Sequence, residues 1–380
     1  MTRQIANCDL NAARDALQLT FDDGTRTSFP SIWLRDNQPQ DRDQHSGQRL
    51  IDVADLPATP SIRDLEYRDG DLTVRWADGE APVRFPAAWL YARARPTHAP
   101  ERRVRRWLEG AMLDARHDFV WADVGRLRRN PRERLSWMVK LAQDGIAFMS
   151  AVPAVEGGLL SAMMLVGRVL ETNYGQVFDV RAVPQPENLA YSDRGLGLHT
   201  DNPYREPVPG FQALHTLLAA PDGGDSLLAD GFALAEHLRE IDPESYERLC
   251  RTPVPFFYRA QGAELYAERP LIQRDVAGQV VAVHYNSRSI APLALEPQAC
   301  RAFYAAYRRF AQLLREPRFQ AVLRLAPGEL MVFDNHRILH GRTGFASQAH
   351  PRHLRGCYLT RDSIYSEIGL LRRQQPSEEA

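Results

Sequence analysis

His199 and Asp201 stand one residue apart in "GLHTDNPYREPVPG" (197–210). On an extended strand, residues two apart point to the same face, so both side chains can reach one ion. A third donor is available in His340 of "FDNHRILHGRTGF", directly after the strand-like run "ELMVFDN". Two imidazoles and one carboxylate on a single face leave half of an octahedron open. That arrangement suits Fe(II) that must also take O2 and a chelating co-substrate. Taken singly, the same residues have plainer readings: a His-x-Asp turn at the surface, or a hydrogen-bonded histidine in the core. The sign against those readings is Arg352, twelve residues after His340, whose guanidinium can grip a distal carboxylate through two hydrogen bonds. A zinc hydrolase could use the same three donors, but it gives Arg352 no role and shows no placed general base.

Such a site needs a scaffold whose strands open at one end. Short apolar runs supply candidates: "IAFMSAV", "FQALHTLL", "SLLAD", "QVVAVHYN", "ELMVFDN" and "RHLRGCYLT". Helices are predicted over "PRERLSWMVKLAQDG", closed by Gly145, and over "EGGLLSAMMLVGRVLETNYG". Asp230 and Asp242 are placed to cap "GFALAEHLREI" and "PESYERLC". Phe303, Tyr307, Phe310 and Leu314 repeat at helical spacing and read as core. Many short strands with few helices predict a mainly β fold with a jelly-roll or barrel core and no parallel βαβ sheet. Residues 1–95 carry two similar β-rich stretches around Asp-Gly turns, each ending in Trp-Leu, and form a small N-terminal β-rich domain. A Pro/Arg-rich linker follows at 96–104, and residues 105–380 form the main domain.

Composition narrows the partners. A formal net charge of -1 over 380 residues gives no electrostatic reason to bind nucleic acid or an anionic membrane. No apolar run is long enough for a membrane span, and the polar start lacks the apolar stretch of a signal peptide. The four cysteines, Cys8, Cys250, Cys300 and Cys357, stand far apart and read as reduced thiols in a cytoplasmic protein.

The combined pattern of H-x-D, a later His and then Arg resembles the Fe(II)/2-oxoglutarate dioxygenases. The resemblance implies a double-stranded β-helix core, a form of the jelly roll. Further segments are similar to the γ-butyrobetaine and trimethyllysine hydroxylases and their bacterial relatives: "SIWLRDN", "NLAYS", "HTDNPYREPVPGFQALH", "GGDSLLADGF", "FDNHRILHGR" and "GCYLTRD". This resemblance implies that His199, Asp201 and His340 bind iron, and that Arg352, Leu214 and Ser226 contact 2-oxoglutarate. The implied reaction consumes 2-oxoglutarate and O2 and, in assays, uses ascorbate as reductant. Tyr174, Phe178, Tyr191 and Tyr358 match an aromatic cage for a trimethylammonium group, with Phe178 where the butyrobetaine enzyme carries tryptophan. Asn188 and Asn286 match contacts to the substrate's anionic end.

Two departures from that pattern matter. Arg288 stands beside Asn286 where butyrobetaine-type sequences have small uncharged residues, and an added guanidinium suits a more highly charged head group. The substrate expected from this is 2-(trimethylammonio)ethylphosphonate, hydroxylated at the carbon next to phosphorus. γ-Butyrobetaine is the alternative, and a non-catalytic betaine-binding protein is a third reading. Second, the animal enzymes hold zinc with cysteines after "WLRDN", whereas Gln38 and Gln40 occupy those places here, so no zinc is expected. Trp33, Trp76 and Trp89 are then the expected core of the small domain. The resemblance also implies a homodimer.

Overall fold

The computed structural model describes residues 3–94, 104–181, 194–260, 262–345 and 352–374. Its contacts divide the chain into two compact units, one ending at Ala99 and the other running Pro100–Ser377. The expected linker at 96–104 lies outside the described residues except for Val104.

The first unit repeats one small design. Strands β1 (Ile5–Leu10), β2 (Ala16–Phe21) and β3 (Arg26–Pro30) form an antiparallel meander, followed by helix α1 (Ser31–Asp36). Strands β4 (Ile62–Arg68), β5 (Asp71–Trp76) and β6 (Val83–Pro86) repeat it, followed by α2 (Ala87–Ala94). The Trp-Leu pairs that close the two sequence stretches therefore sit in short helices. The β4–β5 turn is Asp69-Gly70, with φ of 53° and 84°. Positive φ at both central residues matches the right-handed twist of a tight hairpin. One core is shared by Leu17, Phe21, Leu72, Trp76 and Phe85. Trp76 is 1% exposed, while Trp33 and Trp89 are half-buried and pack on that core. The Gln38 side chain accepts a hydrogen bond from Trp76 Nε1 at 2.7 Å and donates one to Asp41 at 2.7 Å.

The second unit begins with β7 (Trp121–Asp123), α3 (Val124–Arg129), α4 (Pro131–Asp144) and β8 (Ile146–Ser150). Next come α5 (Gly158–Met163), β9 (Val169–Leu170), β10 (Phe178–Arg181), β11 (Leu196–His199), β12 (Phe211–Leu218) and β13 (Ser226–Asp230). Helices α6 (Gly231–Ile241) and α7 (Pro243–Arg251) precede β14 (Val254–Ala260), β15 (Ala263–Arg269), β16 (Ile272–Arg274) and β17 (Val280–Val283). Helix α8 (Pro297–Arg315), strands β18 (Ala321–Leu323), β19 (Leu330–Asp334), β20 (Ile338–Arg342) and β21 (His353–Leu359), and helix α9 (Arg361–Gln374) complete it.

Two sheets face each other. The larger has the order β10-β21-β12-β19-β8-β7, with β9 also paired to β21; the smaller has the order β11-β20-β13-β18. Every pairing in them is antiparallel except β7 with β8. Phe148, Leu214, Met331 and Phe333 from the larger sheet meet Leu228 and Ile338 from the smaller one. The alternate residues Ala147, Met149, Ala213 and Val332 face outward beneath α4 and α9. Period-two alternation with both faces covered explains why these strands read as unbroken apolar runs. The result is the expected jelly-roll core: two stacked sheets with helices outside.

Local signals match the structure closely where chemistry dictated them. Asp230 Oδ1 accepts from Phe232 and Ala233 N–H at the start of α6, and Asp242 caps α7. Gly145 closes α4 in the left-handed region, with φ of 78°. The helix expected over 156–175 is reduced to the six residues of α5. A Cβ at Gly167 would stand 2.8 Å from Ser363 Oγ, so close packing against the chain entering α9 overrides the helical pattern. The β14–β15 hairpin was not anticipated.

Candidate active site

The site is built where β11 and β20 pair. His199 and His340 are direct cross-strand partners, both buried, with ring centroids 4.3 Å apart. Asp201 follows two residues beyond the end of β11. Its Oδ1 lies 3.2 Å from His199 Nε2 and its Oδ2 lies 3.8 Å from His340 Nε2. Candidate ligand atoms of all three fall within 4.8 Å of one another, and this is the metal-competent cluster found among the described residues. The remaining nitrogen of His199, Nδ1, is 2.9 Å from the carbonyl of Gly197. A carbonyl can only accept, so this contact puts the proton on Nδ1 and leaves Nε2 free for a ligand bond. The donor set fits Fe(II): two neutral nitrogens and one carboxylate on one side, the other side open.

The Asp201 main chain is held from both directions by Asn335, just after β19. Asp201 N–H donates to Asn335 Oδ1 at 2.7 Å, and Asn335 Nδ2 donates to Asp201 O at 3.0 Å and to Pro209 O at 3.0 Å. Tyr358 on β21 donates its hydroxyl to Asp201 Oδ2 at 2.8 Å. Burial raises the carboxyl pKa of Asp201, but its contact with His199, the adjacent His340 and the Tyr358 hydrogen bond together hold it below the usual range. Burial and the neighbouring His199 push His340 down to about 3, and burial drives the Tyr358 phenol well up. At neutral pH the site thus holds an uncharged His340 imidazole, a carboxylate and a protonated phenol.

These residues open into a cavity of about 460 Å³. Every sequence-predicted site residue within the described chain lines it: His199, Asp201, His340, Arg352, Leu214, Ser226, Tyr174, Phe178, Asn286, Arg288 and Tyr358. Asn188 and Tyr191 lie outside the described residues. At one end, Leu214 of β12, Ser226 of β13 and Arg352 just before β21 converge. Arg352 is buried, and that burial, with the nearby Arg342, lowers its pKa to about 10, so it remains a cation at neutral pH. Gly224 makes room for it: a Cβ there would come within 2.7 Å of Arg352 Cδ.

The other end is walled by rings. Phe178 lies 5.0 Å from Tyr358 and 6.3 Å from Tyr174. Tyr204 and Tyr258 extend the wall, stacked at 4.9 Å with 14° between their planes. Three polar groups share this part of the cavity. Asn286 Nδ2 donates to Thr200 O at 3.1 Å, leaving its buried Oδ1 without a partner. Asn202 Oδ1 accepts from Tyr204 at 2.6 Å, leaving its buried Nδ2 unpartnered. Arg288 stands in the turn after β17 and lines the cavity; its side chain is solvent-exposed, while desolvation by the protein around it lowers its pKa. It makes no ion pair with a described residue.

Sequence reasoning missed Asn202, Tyr204, Tyr258 and Asn335. The first two lie inside the quoted "HTDNPYREPVPG", and Asn335 inside "FDNHRILHGR". Tyr258 comes from the unanticipated hairpin. A left-handed φ of 55° at Asn202 is a strained conformation of the kind kept at functional sites, but it cannot be read from residue types.

The comparisons agree with this geometry. Residues 108–358 match the model of the "Taurine catabolism dioxygenase TauD, TfdA family", and residues 8–91 match "Gamma-butyrobetaine hydroxylase-like, N-terminal". The chain belongs to the TauD/TfdA dioxygenase family. Within it, a gamma-butyrobetaine dioxygenase of Pseudomonas sp. (strain AK-1) is 34% identical over 366 residues, 94% of each chain. The Homo sapiens gamma-butyrobetaine dioxygenase is 27% identical over 370 residues, 94% of this chain and 95% of its own. A trimethyllysine dioxygenase of Meyerozyma guilliermondii is 26% identical over 381 residues, 94% of each. This TauD/TfdA member is therefore an oxidoreductase of the γ-butyrobetaine hydroxylase-like branch, using Fe(II), 2-oxoglutarate and O2 to act on a small molecule. Among its described residues, no helix is long and apolar enough to cross a membrane.

Proposed function

We propose that this dioxygenase hydroxylates 2-(trimethylammonio)ethylphosphonate at the carbon next to phosphorus. The observation that carries the reading is the charge pattern of one cavity. Ring faces line one wall, and the same cavity is lined by Arg288, which makes no ion pair with a described residue, and by Asn202, whose buried N–H2 group has no partner. A trimethylammonium group cannot donate hydrogen bonds and is held by aromatic faces, here Tyr174, Phe178 and Tyr358. A phosphonate offers three acceptor oxygens and up to two negative charges, a better match to Arg288 and Asn202 than a carboxylate. Buried donors left without an acceptor disfavour ligands that cannot satisfy them.

His199, Asp201 and His340 would hold the iron, and Arg352 would anchor the far carboxylate of 2-oxoglutarate. When bound, the metal supplies the oxidising chemistry by which O2 and 2-oxoglutarate become succinate, CO2 and the substrate hydroxyl. The chain's own contribution is aim. The rings, holding the ammonium group, and the Arg288 guanidinium, holding the anion, would together fix which carbon lies beside the triad. Those apolar walls also limit water around it.

A second reading, γ-butyrobetaine hydroxylation, is favoured by the 34% identity to the Pseudomonas enzyme. The two are separated by comparing kcat/KM for the phosphonate and for γ-butyrobetaine, scored by mass for one added oxygen. The phosphonate is expected to be the better substrate. Arg288→Ala should lower its kcat/KM by roughly tenfold or more, the worth of one charge-assisted hydrogen bond, with little change for γ-butyrobetaine. A clear preference of the wild-type enzyme for γ-butyrobetaine would reject the phosphonate.

A further inference from the structure

A wall that only binds a quaternary ammonium needs a ring, not a hydroxyl. Tyr358 nevertheless spends its hydroxyl on Asp201 Oδ2. We propose that Tyr358 is a positioning residue for the metal-binding carboxylate: it captures Oδ2, so that Asp201 presents Oδ1 alone to the ion. The inference rests on the assignment of Asp201 as an iron ligand.

A carboxylate on a short stem can turn about its last bond and offer either oxygen or both. Here the Asp201 main chain is already fixed by Asn335 on both its N–H and its C=O. Rotations of the side chain about Cα–Cβ and of the carboxylate plane about Cβ–Cγ remain, and a hydrogen bond from the phenol to Oδ2 restricts both. The phenol is itself rigidly held. It projects from β21, which is paired with β12 on one side and with β9 and β10 on the other, and its ring is packed against Phe178. With Oδ2 engaged, Oδ1 is the oxygen that faces His199 Nε2. One oxygen instead of two matters for the count of positions. A carboxylate binding through both atoms would take one of the three places that the chelating co-substrate and O2 require. The ring that faces the substrate and the hydroxyl that sets the ligand thus belong to one side chain.

Tyr358→Phe separates the two tasks, because it keeps the ring and deletes the hydroxyl. Co(II) affinity of the full-length protein is measured without substrate, by competition with a chromophoric chelator, alongside the visible spectrum of the Co(II) form. Tyr358→Phe is expected to bind Co(II) about tenfold more weakly, the effect usual for groups that orient a ligand, and to alter the Co(II) bands. Phe178→Leu, which damages the wall and spares the hydroxyl, is expected to keep wild-type metal affinity while weakening substrate binding. Wild-type affinity and spectrum in Tyr358→Phe would overturn the inference while leaving the iron site standing. Unchanged affinity in His199→Ala would overturn the iron assignment and the inference together. Equal loss of metal affinity in Phe178→Leu and Tyr358→Phe would trace the effect to packing and overturn the hydroxyl's role.

Discussion

At the scale of single residues, the site works by leaving certain groups unsatisfied in the protein alone. Arg352 is a buried cation, and Asn202 and Asn286 each carry a buried polar atom without a partner. Groups in that condition are costly unless a ligand completes them. For Arg352, the proposed completing partner is the distal carboxylate of 2-oxoglutarate. Arg352→Ala should raise the 2-oxoglutarate KM by tenfold or more, with a smaller effect on the KM of the hydroxylated substrate. A KM for 2-oxoglutarate unchanged in steady-state succinate assays would show that the anchor lies elsewhere. Residue types carried most of this information, because a metal, a dicarboxylate and a quaternary ammonium each demand particular donors. What they could not carry was the second partner of each donor. That Asn335 holds the Asp201 backbone depends on a contact across a long stretch of chain, and that Tyr204 fixes Asn202 depends on a local backbone turn that residue types do not reveal.

At the scale of elements, the β11–β20 pairing decides whether the two imidazoles meet. Gly341, immediately after His340, sits where a Cβ would stand 2.4 Å from the carbonyl oxygen of Leu196, far inside normal contact. Gly341→Ala should therefore force the two strands apart and separate His199 from His340. A metal affinity reduced by about tenfold or more is expected, read by titration with Co(II). Retention of full affinity would mean the strands adjust without moving the ligands.

The fold was legible to different depths along the chain. β12 and β13 coincide with the runs "FQALHTLL" and "SLLAD" because both faces of those strands are buried along most of their length. α6 was fixed by its cap. The β14–β15 hairpin escaped notice because Pro255 breaks the strand pattern. One of its faces is also exposed, so apolar alternation is weak there. Tyr258, which that hairpin carries into the cavity, was lost with it.

At the scale of the whole molecule, protonation couples the larger unit to pH. His284 is fully buried and its pKa lies well below the ordinary value, through burial and then the neighbouring His336 and Arg269. His336 and His215 are lowered as well, again chiefly by burial. The unfolded chain takes up these protons near the usual histidine value of about 6.5, while the folded chain resists them. Below that pH the unfolded state binds more protons, so folding stability rises with pH and falls as the solution is acidified. The melting midpoint should drop as pH is taken from about 7.5 to about 5.5. His284→Gln, which cannot take the proton, should show a shallower decline. A midpoint flat across that window would show that these imidazoles are solvated more readily than their burial implies.

The place of β11 in its sheet has a last implication. It lies at the rim, bonded to β20 on one side, and its ladder is broken between Leu196 and His199. Such a strand is the first to fray. An ion shared by His199 and His340 would act as a clasp there, fastening the loosest edge of the fold. Deprivation of iron would then cost the enzyme its grip on that border as well as its chemistry.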